Sequence, residues 1–169
     1  RGLGDVYKRQ LSESRFAPAC ATIGGKIYAM GGANDPYSNP LDSIFIYDPV
    51  TDSWSSGPAL PTAMHGASCV TVSNLVYVGG SYKQAGPFYS VHPTTWEWTQ
   101  LESMEPDEHF QPMALIGGKI YVLGQFGALR VYDIATNSWD YTRQPVPAEY
   151  AGRTSAPQGA TDGRVFYVI

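Results

Sequence analysis

The chain has 169 residues, of which 43% are hydrophobic, 13% aromatic and only 15% charged, with 18 glycines, 13 prolines and a net charge of -4. Aromatic content, low charge and frequent turn formers favour strands and exclude a coiled coil. No apolar run approaches the roughly 18 residues of a membrane helix, and an acidic balance without a basic cluster argues against nucleic acid as a partner.

In chain order, Arg1 to Gln10 (RGLGDVYKRQ) match nothing that follows and resemble a leader seen on sequencing-derived fragments, so residues 1–11 are read as non-native. From residue 12 the chain is organised by an internal repeat. In its first copy, strands are expected at Ala19 to Ile23, Lys26 to Met30, Ser43 to Tyr47 and Ser53 to Ser56, punctuated by Gly24-Gly25, Asn34-Asp35-Pro36 and Asp48-Pro49. Such short strands with such turns form an antiparallel meander. The phrase around Ile27-Tyr28-Ala29-Met30-Gly31-Gly32 returns as Val76-Tyr77-Val78-Gly79-Gly80 and as Ile120-Tyr121-Val122-Leu123-Gly124-Gln125, and it begins again at Asp162. Aligned on the leading glycine, the copies are 48 and 45 residues apart. A second phrase, Tyr47-Asp48-Pro49-Val50-Thr51-Asp52-Ser53-Trp54, recurs at Val91 to Trp98 and Tyr132 to Trp139, which spaces the tryptophans by 44 and 41 residues. In the second copy His92 takes the turn position of the aspartate. Units end near residues 60, 105 and 147, leaving a partial fourth over 148–169.

A four-stranded sheet this small cannot bury both faces alone, so it must stack on copies of itself. Tyr28, Tyr77, Tyr121, Trp54, Trp98 and Trp139 are read as flat surfaces that fill the wedge between neighbouring sheets. Gly31, Gly32, Gly79, Gly80 and Gly124 are read as strand ends where a Cβ would obstruct. Cys20 and Cys69 occupy equivalent places and are expected as small buried core residues, too few for a disulfide framework or a zinc site.

The paired glycines after an Ile/Leu-Tyr strand, with Tyr-Asp-Pro-x-Thr-x-x-Trp about twenty residues on, resemble kelch repeats, over about residues 12 to 169. The resemblance implies an all-β fold, an incomplete kelch β-propeller of about three and a half four-stranded antiparallel blades, where complete propellers carry 4–8 blades. An arc of this kind, about half of a ring, is expected to self-associate through its end blades. In kelch discs the blades are scaffold and specificity lies on the loops of one face. Asn34, Asp35, Tyr37, Tyr82, Lys83 and Phe126 are the candidate partner-binding residues there. Arg15, His65, His109 and Arg153, each shortly before the first strand of a unit, are expected as a partial ring near the channel mouth. An arginine there would suit carboxylate or phosphate recognition.

Nucleophile-elbow, phosphate-loop and metal-ligand motifs are missing from the sequence, so no catalytic residue, cofactor or metal is assigned. The phrasing further resembles the discs of BTB-kelch adaptor proteins, which present substrates to cullin-based ubiquitin ligases. That implies a non-catalytic module with a protein or peptide partner, no nucleic-acid or membrane partner, and a cytoplasmic setting. The alternative from the same fold is a kelch-type propeller enzyme, a sugar epimerase or copper oxidase, completed by further blades.

Overall fold

A computed structural model describes residues 8–82, 86–104, 111–123, 128–145, 159–161 and 164–168. The first unit is a sheet of β1 (Ala19–Ile23), β2 (Lys26–Met30), β3 (Ile44–Asp48) and β4 (Ser53–Ser56). The second holds β5 (Ser68–Val72), β6 (Leu75–Gly79), β7 (Phe88–His92) and β8 (Glu97–Gln100). The third holds β9 (Met113–Ile116), β10 (Lys119–Leu123), β11 (Ala128–Asp133) and β12 (Ser138–Pro145). A hairpin of β13 (Gly159–Thr161) and β14 (Phe166–Val168) follows. Every sheet is an antiparallel meander in sequence order, and there is no helix among the described residues. The first strands β1, β5, β9 and β13 lie against one another in succession, so the sheets fan from a common line as blades of a propeller do.

The β-strand alternation gives each sheet two apolar faces. In β2, Tyr28 and Met30 point to the following sheet while Ile27 and Ala29 point the other way. The first joint packs Ala21, Tyr28, Met30 and Ile44 against Val76, Val78, Tyr89 and Val91; the second gathers Tyr77, Phe88, Ile120, Val122 and Tyr132. Trp98 and Trp139 lie partly buried against these two cores, as the wedge reading requires. Trp54 lies on the first sheet's leading face, the face turned away from the second sheet. Cys20 shares that face and is exposed, which corrects its expected burial: no described sheet covers it. Its counterpart Cys69 is partly buried and donates its S–H to the Cys20 carbonyl at 3.0 Å, and desolvation pushes its thiol up to about 12.

The strand register corrects the glycine alignment. Tyr28, Tyr77 and Tyr121 hold the same place two residues into their strands, so the counterpart of Gly31 is Gly80 rather than Gly79. Gly79 stands where Met30 does, packed so closely by Phe88 that a Cβ would come within 2.5 Å of the ring.

The turn between third and fourth strands is built the same way three times. Asp48 Oδ1 accepts the Val50 N–H at 2.9 Å and Asp133 Oδ1 accepts the Ala135 N–H at 2.9 Å. In the second sheet His92 Nδ1 accepts from Thr94 and Thr95, both at 3.4 Å, so the imidazole does stand in for the aspartate. The residue before each fourth strand is left-handed: Asp52, Trp96 and Asn137 have φ of 49°, 59° and 51°. Asp52 and Asn137 use this geometry alike. Tyr47 donates its hydroxyl to Asp52 Oδ1 at 2.5 Å, and Tyr132 donates to Asn137 Oδ1 at 2.7 Å.

These bonds set a pH window. The Tyr47 hydroxyl, with the backbone N–H of Arg9, holds the Asp52 carboxyl below its usual range; Val50 N–H and Lys26 do so for Asp48, and Lys119 for Asp133. The bond to Asp52 pushes Tyr47 up to about 12, and burial does the same for Tyr132. Depressed carboxylates contribute stability that is complete above about 4 and lost as pH falls through their folded values. Raised tyrosines contribute stability complete below about 10 and lost toward 12. Thermal unfolding measured against pH should therefore show a plateau between these limits. Asp52→Asn, which installs the amide found naturally at Asn137, should shallow the acid limb; an unchanged limb would remove Asp52 from it.

Candidate partner-binding rim

The loops between second and third strands and those between units meet at one end of the sheets. Residues 36–40 from the β2–β3 loop, His65 from the β4–β5 connection and Tyr82 from the β6–β7 loop enclose an open cleft of about 190 Å³. Its walls are fixed from within. Asp35 Oδ1 accepts the N–H groups of Tyr37 at 2.8 Å and Ser38 at 3.0 Å, and the Ser38 hydroxyl bonds Oδ2 at 2.5 Å. The Ser38 hydroxyl is the largest reason that the Asp35 carboxyl sits below its usual range. Asp35 thus serves the turn, and the turn holds out Tyr37, which is 97% exposed.

His65 forms the floor. Only 2% exposed, it meets Phe16 and Tyr82 edge-on at 5.4 and 5.7 Å. Its carbonyl accepts the Tyr82 N–H at 2.8 Å and its N–H donates to the buried Ser81 hydroxyl at 3.3 Å, which binds the two loops together. The lining carries three aromatic rings, two prolines, an amide and the hydroxyls of Tyr37, Ser38 and Tyr82, and no carboxylate, lysine or arginine among the described residues.

Of the residues singled out from sequence, Tyr37, His65 and Tyr82 come together here, with Asn34 and Asp35 at the base of the first loop. Lys83, His109, Gly124, Phe126 and Arg153 lie outside the described residues. Arg15 is placed elsewhere. Its side chain is 5% exposed, pairs with Glu13 at 3.0 Å, donates to the Gly31 carbonyl at 3.4 Å and lies 4.8 Å over the Phe45 ring. One guanidinium nitrogen thus bonds the chain's own Glu13 carboxylate. Nor do Arg15 and His65 correspond in the repeat. Ala33 donates to the Phe16 carbonyl as Tyr82 does to that of His65, so His65 takes the place of Phe16, one residue beyond Arg15.

Sequence reading missed Pro36, Ser38, Asn39 and Pro40 as cleft lining, because a Pro-x-x-Asn-Pro string signals only a turn. A wider depression of about 360 Å³ on the third sheet, lined by Lys119, Tyr121, Val131 and Asp133, is of another kind. Tyr121 is the counterpart of Tyr28, against which the following sheet packs, so this is a joint face. Among the described residues no group of three His, Cys, Asp or Glu is placed to hold a metal ion, and no helix is long and apolar enough to cross a membrane.

Comparison with known proteins agrees with this architecture. A family model described as Kelch motif matches residues 14–61, the first sheet with its flanks. A Kelch-like protein, terF, of Aspergillus terreus is 28% identical over 163 residues, covering 83% of this chain and 36% of that protein. Kelch-like protein 41b of Danio rerio is 30% identical over 152 residues, covering 84% of this chain and 24% of that protein. An N-(sulfonatooxy)prop-2-enimidothioate sulfolyase of Thlaspi arvense is 29% identical over 164 residues, covering 83% of this chain and 47% of that enzyme. The chain therefore spans between about a quarter and a half of these relatives. With the motif match, the relatives and three like-built four-stranded sheets in agreement, the chain is a kelch-repeat protein.

Proposed function

We propose that the rim cleft is the recognition surface of a non-catalytic protein-interaction module, binding a peptide or folded partner. The observation that carries this reading is the preformed cleft itself: an exposed Tyr37 held by the Asp35 turn, beside Tyr82 and above a buried His65. Rigid aromatic side chains bring large contact area at small entropic cost, which is why tyrosine is frequent among binding hot spots. Kelch-like names among the relatives support the same class. In the finer form of this proposal the disc is a cytoplasmic substrate adaptor of a cullin-type ubiquitin ligase, as the BTB-kelch phrasing implies; a cullin co-purifying with the full reading frame would support it.

The test is a photo-crosslinker near the cleft followed by quantitative recovery of partners. Tyr37→Ala and Tyr82→Ala should each weaken capture by about tenfold or more, the size of a hot-spot loss. Val50→Ala, at a turn residue that is 92% exposed, serves as control. Equal capture by all three variants would remove the cleft from recognition. The sulfolyase among the relatives favours a second reading as a propeller enzyme; turnover of that enzyme's substrate by this chain would establish it.

A further inference from the structure

The two joints between sheets are made differently, and one residue on each side explains why. At the second joint, Asn137 Oδ1 accepts the Glu102 N–H at 2.9 Å and the Trp139 indole N–H donates to the Glu102 carbonyl at 2.8 Å. Glu102 lies just past β8, so what is gripped is the run-out of a neighbouring outer strand. At the first joint the equivalent residue is Pro58. The equivalence follows from the residues before, since Gly57 donates to the Ile44 carbonyl as Leu101 donates to that of Phe88, both at 2.9 Å. Proline has no N–H, so an acceptor opposite it would be stranded. The left-handed position there holds Trp96 instead, whose ring packs on Gly57, where a Cβ would come within 2.9 Å, and edge-on to Tyr28 at 6.2 Å.

The leading face of the first sheet carries the gripping set, Tyr47, Asp52 and Trp54, and a backbone is seated in it. Arg9 donates its N–H to Asp52 Oδ1 at 3.0 Å and accepts the Trp54 indole N–H at 2.8 Å, the same two bonds that Glu102 makes. Neither bond uses the arginine side chain. The surrounding face lacks the cover that its counterparts have: Ile27 is 39% exposed, whereas Val76 and Ile120 at the same register position are 1% and 0% exposed.

We propose that Tyr47, Asp52 and Trp54 form a backbone-reading site for the outer-strand run-out of another kelch blade. The site is indifferent to the side chain seated in it and closed to proline. Two joint types then exist in one chain, a backbone clasp wherever the run-out has an N–H and an aromatic wedge where it is prolyl. The proposal is independent of the rim.

Hydrogen exchange of the Trp54 indole N–H in the full chain tests it, with the Trp139 indole as an internal reporter that the other joint remains folded. Arg9→Ala should leave Trp54 protected, while Arg9→Pro and Asp52→Ala should each cut its protection about tenfold. In the Arg9→Pro chain, a peptide copying residues 97–104 should restore protection, and the same peptide with proline at the position of Glu102 should not. Equal losses in Arg9→Ala and Arg9→Pro, or equal rescue by both peptides, would overturn the proposal.

Discussion

Trp139→Ala should destabilise the chain by about 3–5 kcal/mol, the range for removing a large packed aromatic. The ring meets the second joint on several sides. It lies 5.1 Å from Phe88 and 5.0 Å from Tyr132, stacks on Tyr141 at 6.2 Å and bonds the Glu102 carbonyl across the joint. Phe88 and Tyr132 are themselves fully buried, so the cavity opens onto a core that cannot collapse without moving two strands. Trp139→Phe keeps an aromatic ring and loses the N–H donor, so its cost should be nearer the roughly 1 kcal/mol of one hydrogen bond plus the smaller ring. Urea unfolding followed by circular dichroism separates the two. If both variants unfold within about 1 kcal/mol of the parent, the ring is a surface group and its packing does not hold the joint.

Gly31→Ala should cost about 2–5 kcal/mol, combining a left-handed backbone with forced overpacking. Gly31 has φ of 65°, and a Cβ built on it would lie 2.5 Å from the Met64 carbonyl and 3.2 Å from that of Leu41. Both are backbone atoms of one bridge, held further by the Gly32 N–H to Met64 bond of 2.7 Å, so neither can swing aside as a side chain would. Relief must come from separating the β2–β3 loop from the connection that carries His65, which would also widen the rim cleft. Gly24→Ala is the control. Its φ of 58° is as strained, yet nothing lies within 4 Å of a Cβ there, so only the backbone cost of about 1–2 kcal/mol remains. Thermal and denaturant midpoints should rank parent, Gly24→Ala, Gly31→Ala in falling order; equal losses would mean that close approach contributes nothing.

Strand positions were legible because local chemistry decides them. The four strands expected in the first unit match those observed to within one residue, Ser43 to Tyr47 being observed as Ile44–Asp48. Gly24-Gly25 and Asp48-Pro49 fix the turns, and apolar residues on both faces require a partner sheet on each side. His92 was readable as an aspartate substitute because the turn needs only an acceptor at that place. The glycine phase was misread by one residue, since two adjacent glycines in the second unit look alike in sequence and only pairing of Tyr77 with Val70 shows which ends the strand.

The rim was half legible. Tyr37, His65 and Tyr82 could be named because they fall in loops that a propeller carries to one end. The role of Arg15 could not, because its seat over Phe45 and its bond to the Gly31 carbonyl are contacts with residues far along the chain.

The sequence alone determined the short strands and turns of each unit and the spacing of its aromatic residues, for strand alternation and turn chemistry act within a few residues. Which joint is a clasp and which a wedge, and that Cys20 is exposed, were decided only by the tertiary structure. Each depends on what a distant segment presents opposite: a prolyl or an amide backbone, a covering sheet or none.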